Sequence, residues 1–304
     1  MRTHISLRLG TITTALITPF RGDRPDLAAL EQLAERQIRS GIDGLAVCTV
    51  TGEGPTLSME EQAEVVRTCV RVAAGRVPII AATGTNSTSS TIALTRQAEN
   101  LGASAALVTA PYYSKPLQRG VVHHFQMLAA ETTLPLIVDS NQSRCAISLS
   151  RETLEAFSCI PSIVALVGVL DTDICSVDLP RHLRDRFTFL SNRDDTARAF
   201  LGQRGDGIIS AGANIHPRLF ASMQQAARAG NVHAALALEG RLLPLVQALG
   251  ADGDPSAVKH ALHVLLGTDP SVRLPMVALA PDEKTSVFDA LTLVSDLRSK
   301  SLPL

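Results

Sequence analysis

The feature that most constrains this chain is a change of hydrophobic period that recurs eight times. Short apolar runs alternate with amphipathic stretches of helical spacing. The runs fall at residues 10–18, 43–50, 78–83, 105–109, 135–140, 163–169, 187–191 and 207–211. They are continuously apolar, the mark of strands buried on both faces in a parallel sheet. The helical stretches fall at 26–40, 59–74, 87–101, 120–132, 150–157, 174–185, 194–201 and 217–229. Leu27, Leu30, Leu33 and Ile38 set the apolar face of the first. Ser58 followed by Glu61 is a capping-box signature. Pro217 suits the first position of a helix, and Gly230 suits the stop after it. Eight strand–helix units in series predict a (β/α)8 barrel, the TIM barrel, rather than an open sheet. From Asn231 onward no strand run remains, and two or three helices are expected. No low-complexity linker intervenes. The reading is therefore a barrel over residues 1–230 with a C-terminal helical extension, 231–304, packed on it as one structural unit.

Composition narrows the class of partner. Of 304 residues, 45% are hydrophobic and 19% charged, enough for a sizeable core. A formal net charge of −1, 3% aromatics and no Trp provide neither a field nor a stacking surface for nucleic acid or an anionic membrane. The run near residues 12–17 is interrupted by Thr13 and Thr14 and ended by Pro19, so a first strand fits better than a signal peptide. No uninterrupted apolar stretch of ~20 residues exists, so no membrane span is expected. Five scattered cysteines, Cys48, Cys69, Cys145, Cys159 and Cys175, contain no C-x-x-C pair. They read as reduced thiols in a cytoplasmic protein.

In a barrel of this kind the site lies on the loops after the strands. After the second strand comes Thr49-Val50-Thr51-Gly52-Glu53, whose N–H groups and Thr51 hydroxyl can hold a carboxylate. The same segment also reads as a plain strand-to-helix turn. After the fourth strand come the chain's two tyrosines, Tyr112 and Tyr113, suited to proton relay or to an interface. After the fifth come Asp139 and Arg144: a base and a carboxylate clamp, or a solvated loop. His216 lies near the rim. His123 and His124 are adjacent on a helix and face different directions, which favours surface or packing roles over metal.

Together these segments resemble the dihydrodipicolinate synthase/N-acetylneuraminate lyase family. The resemblance spans Gly10-Thr11, Thr18-Pro19-Phe20, Gly41-Ile42-Asp43-Gly44, Arg76-Val77-Pro78, Thr83-Gly84-Thr85-Asn86-Ser87-Thr88, Tyr112-Tyr113, His124-Phe125, Gly205-Asp206-Gly207, and Pro255 to Lys259. It implies a homotetramer built as a dimer of dimers, no metal or organic cofactor, and a 2-oxo acid such as pyruvate as partner. It also implies a strand lysine that forms a Schiff base with that acid. Thr51 and Gly52 match the family's carboxylate-binding turn, and Arg144 its arginine. Glu53 matches too and reads as a buried structural acid. Tyr113 matches the tyrosine contributed across a subunit pair.

Four positions depart from the pattern. The Schiff-base lysine falls on Val167 and the acid after it on Gly168. The relay threonine falls on Val50, and a tyrosine of the relay falls on Asp139. The chain's four lysines are Lys115, Lys259, Lys284 and Lys300. Of these only Lys115 is expected near the mouth, at an outer loop position. The expectation is a protein that binds a small 2-oxo or hydroxy acid and has lost imine chemistry, with Tyr113 and Asp139 as candidate catalytic groups. Two other readings stand beside it: an active 2-oxo-acid lyase, and a non-catalytic subunit that assembles with an active paralogue.

Overall fold

The computed structural model describes residues 9–169, 179–203, 205–250 and 254–295. Eight parallel strands close into a barrel in chain order. They are β1 (Ile12–Ala15), β4 (Gly44–Val47), β5 (Ile79–Ala82), β6 (Ala105–Thr109), β7 (Leu136–Asp139), β8 (Ile163–Val167), β9 (Thr188–Ser191) and β10 (Gly207–Ser210). Closure is direct: Ile12 of β1 pairs with Ile208 of β10, and Thr13 with Gly44 of β4. The (β/α)8 barrel with a C-terminal helical extension is the fold observed.

Strand period two divides the core in two layers. Ala15, Ala46, Ile80, Ala105, Leu107, Ile137, Ala165, Val167, Leu190 and Ile209 fill the barrel interior. Leu45, Val47, Ala106, Val108, Val138 and Leu166 point outward and pack under the helices. Four of these ten interior residues are alanine, small enough to let the opposed strands close on the barrel's centre.

The helices follow their caps. α1 (Leu27–Arg39) starts where the Asp26 carboxylate accepts from the Ala29 N–H. α2 (Met59–Ala73) has the full Ser58–Glu61 capping box. α3 (Thr88–Asn100) is capped by Ser87, and α6 (Arg151–Ser158) by Ser150. α9 (Pro217–Arg228) begins at Pro217, and Gly230 turns the chain at φ +74°.

Differences from expectation have local causes. α4 (Gln118–Glu131) begins two residues early, because the Gln118 side chain is anchored to Ser148 O and Ser150 N. α8 (Ala197–Gly202) starts later than Asp194, whose carboxylate is taken by Ser210 and the Gly212 N–H instead of capping the helix. A hairpin of β2 (Phe20–Arg21) and β3 (Arg24–Pro25), and the one-turn helix α5 (Gln142–Cys145), are too short to show a period. Of the helix expected at 174–185, α7 (Arg181–Arg184) is described; residues 170–178, including Cys175, lie outside the described residues, as does Lys300.

Three helices make up the extension: α10 (Val232–Leu249), α11 (Pro255–Leu266) and α12 (Pro281–Ser295). α10 packs on α9 and α12. Among the described residues it is the one helix long and apolar enough to cross a membrane. It also carries an ion pair, Arg198–Glu239 at 2.6 Å, and Arg241 reaches the Val294 carbonyl on α12 at 3.1 Å.

Candidate functional site at the barrel mouth

The turn after β4 is held by backbone geometry that few residues tolerate. Cys48 and Glu53 both sit at positive φ, +57° and +54°. A Cβ on Gly52 would lie 2.7 Å from the Leu16 carbonyl, and one on Gly54 would lie 1.8 Å from the Cys48 carbonyl. Both positions therefore require glycine. Glu53 N–H donates to Val50 O, and Gly54 N–H to Thr49 O. Thr18 Oγ1 donates to the Gly52 carbonyl at 2.7 Å. Thr51 is buried on the wall of the mouth.

Beneath this turn lies a charge pair with almost no exposure. Lys259 Nζ of α11 meets Glu53 Oε1 at 2.5 Å, with side chains 0% and 1% exposed. Glu53 Oε2 accepts from the Arg273 N–H at 2.8 Å, and Lys259 donates to Ser271 O at 2.8 Å. Lys259 also lies 3.9 Å from the centre of the Phe20 ring in β2. Burial pulls the Lys259 ammonium below the usual lysine range, and the Glu53 carboxylate pulls it back. Arg273 continues outward to a bidentate pair with Glu61, both contacts 2.6 Å. Glu53 is thus a structural acid, as its sequence context suggests.

The opposite wall comes from β7 and β8. Asp139 ends β7 in register with Thr109 of β6 and with Val167 of β8. Its carboxylate accepts from Asn141 N–H at 3.1 Å and from Thr109 Oγ1 at 3.3 Å. Burial pushes the Asp139 carboxyl above the usual carboxylate range, and these donors and Arg144 only partly oppose it. Arg144 is exposed on α5, its backbone N–H bonded to Asn141 O at 3.1 Å. Val167 is 1% exposed. Gly168 follows at φ +75°, its N–H donating to Leu190 O, while the Ser140 hydroxyl donates to the Val167 carbonyl at 3.1 Å.

These residues enclose a cavity of about 70 Å³ at the C-terminal ends of the strands. Its lining includes Thr49, Val50, Thr51, Asp139, Arg144 and Val167, with Leu107, Ile209 and Ala15 from the barrel interior. At 10–15 Å³ per water-sized probe it holds on the order of five water positions, the scale of a small organic acid. A wider cavity of about 550 Å³ adjoins it and shares Thr49, Val50, Leu107, Asp139 and Arg144.

The structure therefore brings together Val50, Thr51, Asp139, Arg144 and Val167. It places Gly52 behind the wall as the backbone that lets Leu16 approach. Tyr113 is not brought in: it is 92% exposed at φ +67°, whereas Tyr112 lines the outer cavity. Lys115 is exposed at φ +45° and lines neither cavity. His216 precedes α9; burial and the nearby Arg36 and Arg241 pull its imidazole down to about 4. His124 is buried with Nδ1 2.9 Å from Thr88 Oγ1. Among the described residues no group of three His, Cys, Asp or Glu side chains is disposed to hold a metal. Asn141 and Asn192 also line the cavity, although nothing in their sequence context marks them beyond lying just after strands. Asp194, after β9, is raised to about 6 by burial, against hydrogen bonds from Ser210 at 2.5 Å and Gly212 N–H at 2.8 Å.

Fold and mouth together define a (β/α)8-barrel protein with a small-molecule pocket at the C-terminal face. A model of the dihydrodipicolinate synthetase family matches residues 8–293. The chain belongs to that family. It is 41% identical over 282 residues to the 4-hydroxy-tetrahydrodipicolinate synthase of Rhizobium meliloti, covering 91% of this chain and 96% of that protein. It is 42% identical over 283 residues to the enzyme of the same name from Acidiphilium cryptum, covering 91% and 96%. Among solved structures, a monomeric dihydrodipicolinate synthase variant superposes with TM-score 0.89 at 30% identity, covering 94% of this chain and 96% of that one. The chloride-inhibited enzyme of Acinetobacter baumannii, complexed with pyruvate, superposes with TM-score 0.87 at 33% identity, covering 94% and 99%.

Proposed function

We propose that this protein binds a small 2-oxo or 2-hydroxy acid in the barrel mouth without forming a Schiff base. The observation that carries the proposal is Val167 in the cavity wall. The resemblance puts the family's lysine at this position, and an isopropyl group has no nitrogen to attack a ketone. No described lysine lines either cavity. Lys259 is committed to Glu53, and Lys284 is exposed on α12. Val50 at the relay-threonine position and Asp139 at a relay-tyrosine position extend the same change. What supports binding is the carboxylate-sized cavity, the Thr51–Gly52 turn and the Arg144 guanidinium. Asp139, raised by burial, serves as a base or as the ionic partner of Arg144. Pyruvate is the first ligand to test, because it occupies the Acinetobacter baumannii relative.

Borohydride trapping with pyruvate, read by intact mass, tests the proposal alongside calorimetric titration of the same acid. Binding heat without a covalent adduct is expected. A reduced adduct overturns the loss of imine chemistry.

The names of the relatives favour a second reading, an active 2-oxo-acid lyase of the 4-hydroxy-tetrahydrodipicolinate synthase type. It requires a different amine, and an adduct mapped to Lys115 would establish it. A third reading rests on Tyr113, whose 92% exposure leaves it available to a neighbouring subunit. In a family-type tetramer this chain would lend Tyr113 to an active paralogue, and co-purification with a lysine-bearing homologue would mark that role.

A further inference from the structure

The cavity is polar on one side and apolar on the other. Thr49, Thr51, Asp139, Asn141, Asn192 and Arg144 supply the polar side. Val167, Leu107, Ile209, Ala15 and Ala211 supply the deep side, and all five are buried. Four of them, Val167, Leu107, Ile209 and Ala15, belong to the apolar cluster that fills the barrel interior. The deep side is thus the top of the barrel core where it meets the cavity. Among the described lining residues it offers no cation and no donor for a second charged group.

We propose that the preferred ligand is a monocarboxylic 2-oxo or 2-hydroxy acid with a short apolar tail of two or three carbons, the three-carbon tail branched. Its carboxylate faces Thr51 and Arg144, and its tail rests on Val167, Leu107 and Ile209. The proposal depends on the binding reading above and specifies the substrate class for that site.

The physics is differential. Pyruvate puts only a methyl group against this floor and leaves much of the apolar surface facing water. Each further buried methylene tightens binding about fourfold. A dicarboxylic acid fares worse, because its second carboxylate would be desolvated on an apolar floor beside the Asp139 carboxylate. The site therefore discriminates by what lies beyond C2 and needs no covalent capture. Total volume sets a limit: in a cavity of about 70 Å³, tails beyond three carbons must turn out into the wider one.

The test is a titration series by calorimetry with pyruvate, 2-oxobutyrate, 2-oxoisovalerate and 2-oxoglutarate. Affinity should rise along the first three, with 2-oxoisovalerate about fifteenfold tighter than pyruvate, and 2-oxoglutarate should be weakest. Val167→Thr places a hydroxyl in the floor and should cut the 2-oxoisovalerate preference to about threefold or less. Val167→Ile keeps the floor apolar but fills it; it should weaken 2-oxoisovalerate while sparing pyruvate. A flat or inverted series overturns the substrate class, as does a Val167→Thr protein with the preference intact. If pyruvate binds but the series is flat, only this inference falls. If none of the four acids binds, the binding reading falls with it.

Discussion

Asp139 and Val167 stand side by side at the ends of adjacent parallel strands, paired in register across β7 and β8. Both side chains line the same cavity. The change at one position therefore alters the chemistry available at the other. A lysine at 167 would meet a carboxylate at hydrogen-bonding range, and an adjacent opposite charge favours the ammonium form. The single change Val167→Lys should therefore give little or no borohydride-trapped pyruvate adduct. The triple change Val50→Thr, Asp139→Tyr, Val167→Lys removes the competing carboxylate and supplies the relay groups. It should give the adduct. Efficient trapping by Val167→Lys alone would refute this coupling.

Asp194 predicts a pH dependence of stability. Its carboxyl is raised from 3.8 to about 6 in the folded protein. The folded state therefore holds the proton more tightly than the unfolded chain. The stabilisation linked to that proton is complete below about pH 4 and is lost as pH rises through about 6. Asp194→Asn should flatten the urea-unfolding profile over that window. Its stability relative to the parent should be about 2 kcal/mol more favourable at pH 7 than at pH 4, using 1.36 kcal/mol per pKa unit and a discount for partial solvent access. An unchanged slope between pH 4 and 7 would exclude Asp194 as the source.

The Glu53–Lys259 pair predicts asymmetric mutational costs. Lys259→Met leaves the Glu53 carboxylate buried without its counter-charge and should cost about 3–5 kcal/mol. Glu53→Gln combined with Lys259→Met should recover most of that loss, because no uncompensated charge remains. Chemical denaturation of the two single variants and the double variant gives the coupling directly. Additive single costs would mean that the two groups do not act as a pair.

Gly52 predicts a binding defect rather than simple unfolding. In Gly52→Ala the new methyl would sit 2.7 Å from the Leu16 carbonyl, so the turn must shift. Acid affinity should fall at least tenfold, since misplacement of a positioning group by about 1 Å is costly. Circular dichroism should still report the folded barrel. Parent-level affinity would mean that the turn does not touch the ligand.

Much of this was readable from the residues, and the limits are physical. The eight strands were legible because burial on both faces makes each a continuous apolar run. The start signals at Ser58 and Pro217 marked helix starts because their chemistry is local. The hairpin at Phe20–Arg21 and Arg24–Pro25 was not, because two residues per strand carry no period. In the site, Thr51, Asp139, Arg144 and Val167 converge because each lies at or just beyond the end of a strand. Tyr113, which the resemblance makes a tyrosine lent across a subunit pair, is exposed and does not line the cavity of its own chain. The tie between Glu53 and Lys259 joins the barrel to the extension and is set by tertiary packing alone. Asp194 likewise marks the expected start of a helix in the sequence, and its bonds to Ser210 and Gly212 N–H are set by tertiary packing.

The anchoring of the β4 turn has a consequence for the order of assembly. Glu53 is held by residues up to 220 positions later in the chain. A ribosome that has released all eight barrel strands has not yet delivered Lys259 or Arg273. Until α11 and the segment after it arrive, Glu53 has neither its Lys259 counter-charge nor its Arg273 N–H donor, and the turn is held only by its own hydrogen bonds and Thr18. A late-made segment therefore supplies the support beneath the binding turn. A chain cut short after α9 would retain every residue of the pocket wall and lack the distant anchor of its β4 turn.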